Sequence, residues 1–362
     1  MYQYSAEGDW SHPHFEKLAQ IQADDLFIYS LAYARLRKPE YLAVAESIHR
    51  YLAQFLTSTD GVFYVSQDAD LIPGQHAGDF FGLDAQGRRI RGVPHLDTHV
   101  YSQDNGELIQ AELRFAPISS TGNEVARAEK TARWIIAHRA GADGIFRHAE
   151  GKEAGPYLGD TLSTAAACLD LYESTAESVW LIQAEKSARA IAARFSQSGA
   201  GYVSAVKQKG SVLIPLPQAD ENLALARFAN RLFQYTGKKI YRKMAESSFR
   251  FVLAPGNLKG PFLAPGVLTV DGELNREPLH LTIVSDRRDP KGRELFRSAV
   301  AYPAFYRRVE WLDPTRGKMS PRQDVQYPKL ARPAAFVCTQ GRCSLPAFTA
   351  EELASRIERL EK

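Results

Sequence analysis

Apolar and small residues recur at intervals of three and four along most of this chain, the period of a helix with one packed face. In GDTLSTAAACLDLYEST, Leu162, Ala165, Ala166, Leu169 and Tyr172 keep that interval, and Gly159-Asp160-Thr161 ahead of them is a helix-start signal. Residues 174–177 interrupt the run. A second helix is expected in AESVWLIQAEKSARAIAARF, where Glu185 and Arg189 stand four apart on one face. Gly199 and Gly201 close it, and Tyr202-Val203-Ser204 reads as a short strand. The unit is a helical hairpin followed by an extended step.

That unit recurs. An Ala-Glu-x-x-x-Arg marker with an apolar pair after it occurs at Ala45-Glu46, Ala128-Glu129, Ala184-Glu185 and Ala245-Glu246. Leu26, Leu108, Leu162 and Leu223 stand near the start of the corresponding first helices. The extended steps are Gly61-Val62-Phe63, Gly144-Ile145-Phe146, Gly201-Tyr202-Val203 and Gly260-Pro261-Phe262. Three features in one order, repeated four times, predict hairpins packed side by side. One hairpin cannot bury its apolar face alone. First helices are expected inside and second helices outside.

Beyond residue 253 the pattern changes. Pro255, Pro261 and Pro265 predict a linker. Residues 279–284 then read as a buried strand, 291–300 as a helix and 305–312 as another strand. Residues 334–337 are apolar again and lead to Cys338, and Thr349 with Glu352 makes a capping box for a last helix. The expected architecture is mainly α, with helical hairpins over residues 1–255 and a small α/β segment over 256–362.

Composition narrows the function classes. The 362 residues are 44% hydrophobic and 24% charged, and a formal net charge of +3 is too small to argue for nucleic acid or a membrane surface. No apolar run approaches the roughly 18 residues of a membrane span. The first ten residues lack the basic-then-apolar order of a signal peptide, so cytoplasm is the expected location. One segment is strongly basic: residues 287–332 hold 12 Lys/Arg against 5 Asp/Glu, either a solvated face or a site for an anion. Cys338 and Cys343 enclose a turn containing Gly341, and are expected as neighbours, either two thiols or a local disulfide. Cys168 in its Ala-rich helix is expected to be a buried small hydrophobe.

Candidate chemistry gathers at the predicted starts of the first helices. Asp24-Asp25, Gly106-Glu107, Asp160-Thr161 and Glu221-Asn222 precede the four marker leucines. Such groups stabilise a helix end by about 0.3–1 kcal/mol. If the first helices form an inner ring, the same groups also line one mouth, suited to a polyhydroxylated ligand. Asp160 is the candidate base, with His14 or His99 as proton-transfer partner and Asp68 and Asp70 as further acid–base groups. Asp68 and Asp70 read equally as acceptors closing their own turn. His14 and Glu16 are either substrate-facing groups or part of a capping segment with Pro13 in the first turn. Glu16, Asn105, Glu107, Tyr157, Asp220, Glu221 and Asn222 are candidate substrate-binding residues. His76, His95 and His99 lie in the long segment 71–102 but have no strong metal-ligand spacing, so neither a metal nor another cofactor is expected.

The stretches WSHPHFEK, FYVSQDAD, DTHVYSQDNG, GPYLGDTL and CTQGRCSLP resemble the helical portion of the YyaL-like, spermatogenesis-associated protein 20-like family. That resemblance implies an α/α toroid of the six-hairpin glycosidase type, similar to that of N-acylglucosamine 2-epimerases, following a thioredoxin-like domain. No counterpart of the thioredoxin-like domain or of the first toroid helices is expected here. No Cys-x-x-Cys is present, so thioredoxin-type redox chemistry is not carried over. The expected function is a carbohydrate-related enzyme, or sugar-binding protein, using acid–base chemistry in the mouth. The alternative is a non-catalytic helical scaffold that binds a protein partner or self-associates at the open end of an incomplete ring.

Overall fold

A computed structural model describes residues 1–361 apart from 6, 12, 76, 152–154, 208–211, 213, 259–262, 317–320 and 323. The chain forms two compact units, residues 1–141 with 146–154, and residues 142–145 with 155–362. In the first, β1 (Lys17–Leu18) leads into α1 (Ala19–Leu36) and α2 (Pro39–Phe55). Then follow β2 (Ser66–Gln67), α3 (Gly78–Phe81), α4 (Ala85–Arg91), β3 (Leu96–Asp97), α5 (Ser102–Phe115) and α6 (Glu124–Arg139). The second holds α7 (Leu158–Thr175), α8 (Ser178–Arg194), α9 (Ala219–Thr236), α10 (Lys239–Leu253), α11 (Ala264–Asn275), β4 (Leu279–Val284), α12 (Pro290–Ala301), β5 (Arg307–Leu312), β6 (Ala334–Thr339), β7 (Arg342–Cys343) and α13 (Ala350–Glu361).

Four hairpins, α1–α2, α5–α6, α7–α8 and α9–α10, each pack helix on helix. Their second helices share a register. The marker alanine is the seventh residue of α2, α8 and α10 and the fifth of α6, and all four are buried. The apolar residue seven positions on, Leu52, Ile135, Ile191 or Val252, is fully buried in every copy. Burying such a side chain stabilises the fold by about 1.5–3 kcal/mol. The marker charges stay outside: Glu46 pairs with Arg50 at 3.6 Å and Glu129 with Arg133 at 3.7 Å. Glu246 instead turns back to Arg242 at 2.7 Å, and Glu185 reaches Lys238 and the Tyr241 hydroxyl. First helices are the more buried, α7 almost all round.

Each extended step is bonded by a second helix of its own unit. Gly61, Gly144 and Gly201 all have positive φ. At Gly201 a Cβ would sit 2.6 Å from the Phe251 ring of α10, so only glycine permits the approach. A hydroxyl of the following second helix bonds each step: Thr131 Oγ1 to the Gly61 carbonyl at 2.6 Å, Ser187 Oγ to that of Gly144 at 3.1 Å, and the Gly201 N–H to Ser247 Oγ at 3.3 Å. The fourth predicted step, at 260–262, lies outside the described residues.

Two expectations change, and the long segment 71–102 is partly helical. Helix α1 begins at Ala19, so Pro13 is not in its first turn; Pro13 instead bridges to Ser5. Residues 71–102 contain two short helices, α3 and α4. The predicted linker after residue 253 contains α11, because Pro265 occupies the first turn, where its missing N–H has no intrahelical partner to lose. Val270 and Glu273 of α11 are buried, and the helix packs on α9.

The last sheet runs β5-β4-β6-β7. Strands β4 and β5 are parallel, joined by α12, and β6 is antiparallel to β4. Leu281, Ile283, Val309, Leu295, Leu353 and Ile357 share a core between sheet, α12 and α13. Cys338 and Cys343 are opposite residues of the β6–β7 hairpin and form a disulfide. Gln340 and Gly341, both at positive φ, make the two-residue turn between them. Thr349 Oγ1 accepts from the Glu352 N–H, and the Glu352 carboxylate accepts from the Phe348 N–H. Cys168 is fully buried, and that burial pushes its thiol up to about 12.

Candidate functional site

In the second unit the starts of α7 and α9 are fixed by backbone. The Leu158 N–H donates to the Ser204 carbonyl at 2.8 Å and the Val206 N–H to the Pro156 carbonyl at 3.1 Å. Asn222 clamps the step before α9: its Oδ1 accepts from the Tyr202 N–H at 2.9 Å and its Nδ2 donates to the Tyr202 carbonyl at 3.0 Å. Asn105 holds Phe63 in the same way in the first unit, at 2.8 and 3.0 Å. Both asparagines are fully buried with their amides committed to backbone. That is a structural task, and their identical place in α5 and α9, the fourth residue, explains why they recur.

The third residue of three of the first helices is acidic. Asp104, Asp160 and Glu221 are the third residues of α5, α7 and α9. Helices α7 and α9 pack together, and Asp160 lies within electrostatic range of Glu221. Asp160 is fully buried. Glu221 is half-buried, its carboxylate takes the Gly159 N–H, and its Oε2 is buried without a hydrogen-bond partner among the described residues. Burial pushes the Glu221 carboxyl up most, followed by the charge of Asp220; the Gly159 bond lowers it and Asp160 raises it again, to about 7. Tyr157, directly before α7, and Asp220 are both exposed. The second unit therefore brings Asp160, Asp220 and Glu221 together at one end of α7 and α9. A carboxyl that titrates near neutrality beside a second carboxylate can both accept and return a proton.

The candidates of the first unit fall into local pairs. His14 Nε2 is 3.3 Å from Glu16, which also accepts from Gln3 at 3.0 Å, and the His14 ring stacks on Tyr4. Exposed His99 pairs with Asp97 at 2.5 Å. Asp68 accepts from the Asp70 N–H at 3.2 Å and Asp70 from the Gly74 N–H at 3.1 Å, so both close their own turn. Glu107 accepts from Gln103 at 3.0 Å. Among the described residues no group of three or more His, Cys, Asp and Glu side chains is arranged to hold a metal ion.

Two arginines of the basic C-terminal segment have a use that neither expectation named: they are buried in ion pairs, while Arg288, Arg293, Arg297, Lys329 and Arg332 are exposed. Arg307 bonds Glu173 at 2.7 Å, while Arg308 meets Glu310 at 2.6 Å and Asp324 at 2.7 Å. His280 Nε2 lies 2.8 Å from Glu310. His280, Arg308 and Asp324 line a cavity of about 340 Å³, together with Gln234, Arg322 and the disulfide.

The fold is one that sugar-processing enzymes also have. It is a mainly helical α/α toroid of the six-hairpin type, with small sheets. Similar structures are a sugar epimerase from a ruminal bacterium (TM-score 0.54, 12% identity, 69% of this chain and 62% of that one) and a cellobiose 2-epimerase from Bacillus thermoamylovorans (0.55, 11%, 67% and 62%). A glycoside hydrolase family 76 mannosidase from Bacteroides thetaiotaomicron is a third (0.54, 14%, 75% and 74%). At these identities the likeness is one of fold. Among curated proteins, a stretch of 72 residues is 38% identical to human spermatogenesis-associated protein 20 and 35% to the mouse protein. The stretch spans 20% of this chain and only 9% of each relative. No protein-family profile matches the chain. No helix of the described residues is long and apolar enough to cross a membrane.

Proposed function

We propose that this chain is a carbohydrate-active enzyme working by acid–base chemistry, with Glu221 as the proton-transfer group and Asp160 as the neighbouring carboxylate. The observation that carries the reading is the Glu221 carboxyl, raised to about 7 by burial and by Asp220 and Asp160. An ordinary exposed glutamate is fully ionised at neutral pH and has little capacity to donate a proton. Glu221 holds both forms there, as a group serving as acid and base in one cycle must. Exposed Tyr157 and Asp220 are assigned to substrate hydroxyls, and no step is placed on His14 or His99, each paired with its own acidic neighbour. The epimerases and the mannosidase that share the fold support a sugar as the substrate class.

A panel of mono- and oligosaccharides is the first test. A true ligand raises the thermal midpoint of the whole chain, because binding favours the folded state. On the sugar that does so, product analysis separates epimerisation from hydrolysis. Glu221→Gln and Asp160→Asn should then lower turnover by about a hundred- to ten-thousand-fold, the usual contribution of a proton-transfer group. The basic limb of the wild-type rate profile should fall near pH 7. A chain that no sugar stabilises, and whose two variants behave as wild type in every binding assay, fits the scaffold alternative instead.

A further inference from the structure

Lys17 in β1 is surrounded by aromatic rings brought from three distant parts of the first unit. Its ammonium lies 5.1 Å from the centroid of Tyr2, 5.0 Å from that of Tyr51 and 4.9 Å from that of Phe81. The rings are themselves braced. Phe81 stacks on Phe15 at 4.4 Å and meets Phe80 edge-on, Tyr2 meets Phe15 and Phe81 edge-on, and the Tyr51 hydroxyl donates to Gln67. Lys17 is half-buried, and its ammonium has no hydrogen bond or ion pair among the described residues. Its closest acidic neighbour in sequence, Glu16, is taken by Gln3 and His14. The charged group it feels most is a second cation, Arg88, whose guanidinium faces Phe81 and bonds the Leu83 carbonyl. The Met1 amino group is also nearby, but burial first and Lys17 second lower it to about 6, so it is mostly neutral at pH 7.5. Tyr2 and Tyr51 supply no compensating negative charge, since burial raises both phenols.

Ring faces attract an ammonium, but burial and a neighbouring cation oppose it. Burial first, and Arg88 second, push the Lys17 amine down to about 8. At pH 7.5 its neutral fraction is then on the order of a hundred times that of an ordinary surface lysine. A lysine desolvated by apolar walls and set beside another cation is the arrangement that makes an amine nucleophilic.

We propose that Lys17 is a reactive amine that condenses with the carbonyl carbon of a small aldehyde, the open-chain form of a sugar included. The free amine adds its lone pair to the carbonyl carbon. The carbon–oxygen π pair moves to oxygen, which takes up a proton while nitrogen gives one up. The resulting carbinolamine then loses water, and the nitrogen lone pair forms the carbon–nitrogen double bond. One water leaves for each imine made, and no oxidant or reductant is needed. This site is independent of the carboxylates of α7 and α9, so it stands or falls apart from them.

The test uses the whole chain. It is treated with limiting glyceraldehyde at pH 7.5, the imine is trapped with cyanoborohydride, and every lysine-containing peptide is mapped by mass. The first equivalent is expected on Lys17, at least tenfold ahead of any other lysine, with a labelling midpoint near pH 8. Lys17→Arg keeps a cation between the rings and should lose only that preferred adduct. Labelling that follows solvent exposure, with Lys17 no faster than the average lysine or unlabelled, overturns the proposal and leaves the residue as a plug between aromatic rings. Because the decisive measurement is on the unaltered protein, it holds whether or not the variant folds.

Discussion

The C-terminal sheet and the start of α9 both take charge out of water, with opposite consequences. On the sheet, Arg308 and Glu310 are almost fully buried, but each finds an opposite charge. Burial works against the Arg308 cation, yet Glu310 and Asp324 more than restore it, and its pKa rises. Burial would likewise raise Asp324, but the hydrogen bond and charge of Arg308 win and its carboxyl falls. At the start of α9, Glu221 is less buried but its charged neighbours, Asp220 and Asp160, have its own sign. The paired groups are locked in one charge state and hold elements together. The unpaired one is left able to change state near neutrality. Pairing, rather than burial alone, separates a structural charge from one available for chemistry.

The comparison breaks most visibly at the sheet. Glu310→Ala removes one of the two carboxylates paired with buried Arg308, and should cost up to about 3–5 kcal/mol in chemical denaturation, the range for breaking a buried ion pair. A loss below about 1 kcal/mol would mean that the buried pair contributes little to the fold. Next in size is Asn222→Ala, which orphans the Tyr202 N–H and carbonyl. Each buried group left unsatisfied costs about 1–3 kcal/mol, and Asn105→Ala should behave alike at Phe63.

Glu221 sharpens the comparison through pH. Its folded pKa of about 7 stands above the ordinary glutamate value, so between roughly pH 4.5 and 7 the folded chain binds more protons than the unfolded one. Stability from this group is therefore fully present below the unfolded value and lost as pH rises through 7. Glu221→Gln should flatten that fall in a series of denaturation curves from pH 5 to 8, and leave stability at pH 5 nearly unchanged. The smallest effect is expected on the surface. Arg50→Ala removes the exposed pair with Glu46 and should change stability by no more than about 0.5 kcal/mol.

The hairpin repeat was legible in the chain itself, because a helix with one buried face imposes its period locally. Ala45, Ala184 and Ala245 take the same place in their helices, and the glycines at 61, 144 and 201 all hold the positive φ that favours glycine. The strands and helix of the C-terminal segment, its capping box and the closeness of Cys338 and Cys343 were readable for the same reason: each depends on neighbours a few residues away. What the side chains do there was not readable. Asn105 and Asn222 looked like ligand-binding amides until the backbone they clamp came into view. In residues 287–332, read as a solvated face or an anion site, only the folded chain showed that Arg307 and Arg308 are buried against acids from α7, β5 and a later loop. Glu221 acquires its shift partly from Asp160 on another helix, and Lys17 its aromatic surroundings from residues 2, 51 and 81. Periodicity is a short-range property that the order of residues carries. Burial, pairing and pKa depend on which distant groups share a few ångströms, and only the folded chain decides that.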